Sequence, residues 1–116
     1  MEEKNFETKI ILDEKKLEEN HYSKEIIYDY LEKVFASVDM VRNNETFEQG
    51  TCAMTGVALN GLFKVEWFMK LVKEWTLSIR ENGVITYTED VFSSKAVREK
   101  YLRKYGVLEE ENWSSN

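Results

Sequence analysis

The sequence predicts an α+β domain, a small antiparallel or mixed sheet packed against about three to four helices. Three observations point there. Phe6 to Leu12 alternates with period two and puts Phe6, Thr8, Ile10 and Leu12 on one side, the mark of a strand with one buried face. Residues 24–38 instead carry Ile26, Ile27, Tyr30, Leu31, Val34, Phe35 and Val38 at three-and-four spacing, which is helical. Asn82-Gly83, ahead of Val84-Ile85-Thr86-Tyr87-Thr88, is a strong two-residue hairpin signal before a segment of strand composition.

The other elements follow in chain order. Asp13 can cap a short helical turn over the next residues, and Ser23 can cap the helix that follows. That helix carries Glu25, Asp29, Glu32 and Lys33 on its polar side, with Asp29 and Lys33 at a favourable i,i+4 spacing. Asn43-Asn44 is turn-prone and precedes a weak strand around Glu45–Phe47. Thr51 can cap a helix that buries Met54, Val57, Ala58 and Leu62. Gly56 and Gly61 each cost such a helix about 1 kcal/mol against alanine, so a close approach of another element or a break near Gly61 is expected. Lys64 to Trp75 reads as a further helix with Phe68, Leu71, Val72 and Trp75 on one face. Beyond it Trp75, Leu77 and Ile79 alternate with Thr76, Ser78 and Arg80. We read that as the first arm of a hairpin, with a helix running on to Asn82 and stopped by Gly83 as the alternative. A last helix opens at Asp90 or Ser93 and buries Val97, Tyr101, Leu102 and Tyr105. Gly106 stands at its left-handed cap, and Val107 is placed to touch Leu102. The division expected is one domain over residues 1–108 and an acidic, flexible tail over 109–116.

Composition narrows the function classes. The 116 residues are 42% apolar and 13% aromatic, enough for one core. The net charge of −6 opposes general attraction to nucleic acid or anionic membrane. It is unevenly spread: residues 1–91 hold 18 acids and 11 bases, 92–108 one acid and five bases, and 109–116 three acids. No apolar stretch follows Met1 as in a secretory signal, and no run is long enough to span a membrane. Cys52 is the only cysteine, so an internal disulfide is impossible, and the two glycosylation sequons at Asn44 and Asn112 have no secretory context. A cytoplasmic protein is expected.

No catalytic residue, metal ligand or cofactor is nominated. Gly56 and Gly61 have the spacing of a phosphate-binding loop, but Leu62-Phe63 stand where a lysine and a hydroxyl are required. His21 is the only histidine and reads as a surface turn residue, and Cys52 as a small residue packed at a helix start. Glu14, Glu18 and Glu19, or Glu89 and Asp90, are acid pairs of the kind that line any solvated face. Two features suggest interaction. Trp67 lies about 100° round its helix from Phe68 and is only partly covered, so that Trp67 and Tyr28 become candidates for one exposed aromatic patch. Lys95, Arg98, Lys100, Arg103 and Lys104 form a basic strip on the last helix.

Glu66 to Trp75 also contains the pattern W-F-x-x-x-V-x-x-W, at Trp67, Phe68, Val72 and Trp75. It resembles a segment of short proteins from Gram-positive bacteria and their mobile elements. Asp13-Glu14-Lys15-Lys16-Leu17, then Tyr22-Ser23 and an isoleucine-rich helix start, is similar to the beginning of those proteins. Between Thr51 and Phe63 the chain departs from them, since an acidic-aromatic helix start is expected there. The resemblance implies a compact α+β domain in a bacterial cytoplasm. It transfers no functional residue, because no activity is established for those proteins.

Three functions are therefore carried forward. The first is a non-enzymatic interaction or accessory protein, such as an inhibitor encoded by a mobile element, that binds a protein partner or a second copy of itself. The second is binding of an acidic partner or nucleic acid through the last helix. The third is a small enzyme using carboxylates in a pocket, which requires two converging acids in unlike environments.

Overall fold

A computed structural model describes residues 4–91. The expected last helix and acidic tail, including Lys95, Arg98, Lys100, Arg103 and Lys104, lie outside the described residues. The fold class is as expected: five antiparallel strands and four helices among the described residues. The strands are β1 (Lys4–Leu12), β2 (Val41–Asn43), β3 (Thr46–Gly50), β4 (Val72–Glu81) and β5 (Val84–Asp90). The helices are α1 (Glu14–Glu19), α2 (Lys24–Ala36), α3 (Cys52–Leu62) and α4 (Glu66–Met69).

The sheet order is β2-β3-β1-β4-β5, so the first strand becomes the central one. Residues opposite one another across an antiparallel pair point to the same face. Thr8 faces Leu77, Ile10 faces Trp75 and Phe6 faces Ile79, so the period-two side of β1 continues across β4. Thr8 is also opposite Phe47 of β3. The helices cover this face. Phe35 of α2 stacks on Phe47 at 4.4 Å, and Phe63, just after α3, meets Trp75 at 5.2 Å. The opposite face is polar, with Arg80 Nε donating to Glu7 Oε1 at 2.8 Å and a hydrogen bond of 3.0 Å joining the Ser78 and Thr88 hydroxyls.

Local signals account for the boundaries. The Asp13 carboxylate accepts from the backbone N–H groups of Lys15 and Lys16 and starts α1; Thr51 Oγ1 accepts from Met54 N–H and starts α3. Asn82 and Gly83 have φ of 51° and 83°, the two left-handed residues a tight hairpin of this kind needs. The weak strand near Glu45–Phe47 is the second arm of a β2–β3 hairpin. Its far end bulges: Phe6 pairs with Gly50 and Thr8 with Phe47, and Gln49 takes φ 66° to absorb the extra residue. Gly50 is buried where a Cβ would press on the Thr55 hydroxyl and come within 2.9 Å of the Met40 sulfur.

Three expectations are corrected. Lys64–Trp75 is not one helix: α4 ends at Met69 and β4 begins at Val72. A single turn of helix followed by a strand satisfies the spacing of Phe68, Leu71, Val72 and Trp75 equally well. Pairing with β1 decides the matter, with Leu12 opposite Val72 and Asp13 N–H donating to the Leu71 carbonyl at 2.7 Å. In α3 the buried residues are Thr55, Ala58, Leu59 and Leu62, whereas Met54 and Val57 are exposed. Among the described residues no element approaches Gly56 or Gly61, since a Cβ at either would meet nothing within 4 Å, although the helix does end just after Gly61. In α2 the buried stripe includes Tyr28 and leaves Ile26 out.

Candidate interaction surface

The aromatic residues form a line from the core to the surface. Trp75 and Phe68, both buried, meet edge to face at 5.7 Å, and Phe68 meets Trp67 edge to face at 6.4 Å. Trp67 lies near Tyr22, whose ring is 5.8 Å away and nearly parallel, and Tyr30, 5.3 Å away and tilted. Three elements supply these rings. Tyr30 comes from α2 and Trp67 from α4. Tyr22 is set by the turn after α1, in which His21 takes φ 59° and Tyr22 N–H donates to the Leu17 carbonyl at 2.9 Å. Edge-to-face and offset contacts of this kind hold rings in fixed orientations.

The outer end of the line stays in solvent. Trp67 and Tyr22 are each 40% exposed, and Ile26, one helical turn before Tyr30, is 66% exposed. Beside Trp67 and Tyr22 runs an open groove of about 660 Å³ lined also by Val65, Lys64, Glu66 and Lys70 among others. The flanking charges are Lys64 just past the end of α3, Glu66 opening α4 and Lys70 closing it.

Trp67 is therefore placed at the surface, as its position round the helix suggested. Tyr28 is not brought to it. Its ring is 2% exposed, its hydroxyl donates to the Ile10 carbonyl at 2.6 Å, and the Arg42 guanidinium lies over the ring at 5.2 Å. Burial, reinforced by the negative charge of Glu45, pushes the Tyr28 phenol up to about 12. Tyr28 is a structural residue that ties α2 to β1. Tyr22 and Ile26 were missed as surface residues, and for Ile26 a signal existed. At 100° per residue the apolar positions of α2 span more than half its circumference, and one packed face cannot cover them all.

The remaining chemistry is sparse. Glu7 and Glu48 share a groove of about 560 Å³ on the polar face with Arg80, but Glu7 is bonded to Arg80, and Glu48 accepts from the Asn43 side chain at 3.2 Å. Glu14 pairs with Lys24 at 3.8 Å, while Glu18 and Glu19 are exposed. His21 is an exposed turn residue, as expected; Cys52 is exposed at the start of α3 rather than packed. Among the described residues no group of three or more His, Cys, Asp or Glu side chains converges, and no helix is long and apolar enough to cross a membrane. Compared with known proteins, the chain matches no family model and no curated sequence.

Proposed function

We propose that this chain is a non-enzymatic interaction or accessory protein of the cytoplasm, and that it binds a protein partner through the patch formed by Trp67, Tyr22, Tyr30 and Ile26. One observation carries the reading. A tryptophan anchored by ring contacts on several sides is nevertheless left 40% exposed, and Ile26, one helical turn before the Tyr30 ring that packs on the tryptophan, is 66% exposed. A pre-ordered aromatic residue loses little conformational entropy on binding, and tryptophan and tyrosine are enriched among the residues that dominate interface energies. The resemblance to short proteins of mobile elements suggests an inhibitor as the form this role takes.

The test is recovery of partners from nuclease-treated native lysate with the tagged chain. Trp67→Ala is expected to weaken capture by about 2 kcal/mol or more, a factor of about thirty, as for a central interface residue. Ile26→Asp is the second variant, since its side chain contributes little to the core and its loss of binding is separable from misfolding. A partner retained by both variants, in chains whose circular dichroism is unchanged, contradicts the proposal.

A further inference from the structure

We infer that the groove beside Trp67 receives an acidic peptide segment of a partner protein, with an apolar or aromatic side chain as its anchor. This rests on the interaction reading above and names the chemistry of the partner. The apolar lining of the groove comes from Val65, Leu71 and the rings of Tyr22 and Trp67. Its charged lining consists of Lys64, Lys70 and Glu66, a local excess of one positive charge in a chain of net charge −6. Neither lysine is ion-paired among the described residues, whereas Lys24, Arg42 and Arg80 are all committed to carboxylates.

Distance decides which charge a ligand meets. The Debye length at physiological salt is about 8 Å, so acids farther than that from the groove are largely screened from a ligand in it. Glu18 and Glu19, next in the chain to the lining residue Asn20, stand outside the lining itself. Lys64 and Lys70 are at contact range. Trp67 and Lys70, three residues apart across α4, lie on the same side of that turn, so one extended segment reaches the ring and the ammonium together. The shallow shape of the site favours a peptide over a small molecule. Six of its lining residues, Asn20, Tyr22, Lys64, Glu66, Trp67 and Lys70, are exposed. A small ligand is bound tightly when about 70–90% of its surface is enclosed, and this groove is open to solvent. A segment of a folded partner has no such need.

The experiment measures fluorescence anisotropy of two labelled peptides against the full chain. One alternates Glu with Leu and Phe; the other has each Glu replaced by Lys. The acidic peptide is expected to bind and the basic one not. K64E/K70E is expected to weaken the acidic peptide by about tenfold or more, the combined effect of reversing two exposed contacts. Glu66→Lys is expected to tighten it several-fold, a gain that misfolding cannot imitate. Equal binding of both peptides, no binding of the acidic one, or indifference to K64E/K70E and Glu66→Lys overturns the inference. So does light scattering that shows a dimer broken by Trp67→Ala, which makes a second copy the occupant. Tighter acidic-peptide binding after removal of residues 109–116 makes the chain's own terminus the occupant and overturns it as well. A captured partner lost with Trp67→Ala but retained by K64E/K70E leaves the interaction reading standing and removes only the acidic class.

Discussion

Replacing Tyr28 with phenylalanine tests how the first long helix is tied to the sheet, and its effect is pH-dependent in a definite direction. The hydroxyl donates a buried 2.6 Å hydrogen bond to the Ile10 carbonyl, so Tyr28→Phe is expected to cost about 1 kcal/mol at neutral pH. The phenol also titrates differently in the two states. Its pKa is 10.0 when free and about 12 in the folded chain, chiefly because burial disfavours the phenolate. A folded-state pKa above the unfolded one stabilises the fold fully below pH 10, and that contribution is lost as pH rises from 10 towards 12. The loss amounts to about 1.4 kcal/mol near pH 11 and approaches about 2.7 kcal/mol above pH 12. The phenyl ring of the variant has no proton to lose. Urea unfolding of both chains from neutral to alkaline pH is therefore expected to show the wild-type advantage shrinking from about 1 kcal/mol to nothing near pH 11. Two curves that stay parallel over the whole range, or a full complement of tyrosines titrating normally by phenolate absorbance, refute the reasoning.

Two further outcomes follow from the packing. The Trp75 indole N–H donates to Thr8 Oγ1 at 2.7 Å, and that hydroxyl donates onward to the Thr76 carbonyl at 2.7 Å. Thr8→Val keeps the shape and removes both bonds, so denaturant unfolding is expected to show a loss of about 2–3 kcal/mol; Thr8→Ser, which keeps both, is expected to lose about 1 kcal/mol. At Gly56 a Cβ meets nothing within 4 Å among the described residues, so Gly56→Ala is expected to raise stability by about 0.5–1 kcal/mol through helix propensity, read as a higher denaturation midpoint.

The parts of the fold legible in the sequence are those whose signal is local. Asp13 and Thr51 cap helices, Asn82-Gly83 turns a hairpin, and the alternation of Phe6 to Leu12 sets one face of the sheet. Residues 64–75 mislead because a helix and a strand demand the same apolar positions over so short a stretch. The choice between them is made far away in the chain, by the edge that β1 offers for pairing. The packed face of α3 is only half legible, Ala58 and Leu62 being buried as expected and Met54 and Val57 not, for another reason. No residue from Cys52 to Leu62 is charged, so nothing in the pattern distinguishes the buried side from the exposed one. At the candidate surface Trp67 is legible from its angle to Phe68. Its companions are less so. Tyr22 is placed by the left-handed turn at His21. Although the apolar arc of α2 is too wide to be buried whole, packing decides which part stays out, with Tyr28 turned in to bond β1 and Ile26 left exposed.

The central claim concerns location, since apolar side chains are also exposed on β5, at Val84, Ile85 and Tyr87. A photo-crosslinking residue placed at position 26, and in a second chain at position 84, reports directly which surface a partner covers. The expected result is a cross-linked protein partner from position 26, none from position 84, and loss of the product when Trp67→Ala is added. A partner cross-linked from position 84 and not from position 26 would place the interface on the edge of the sheet and contradict the role assigned to Trp67.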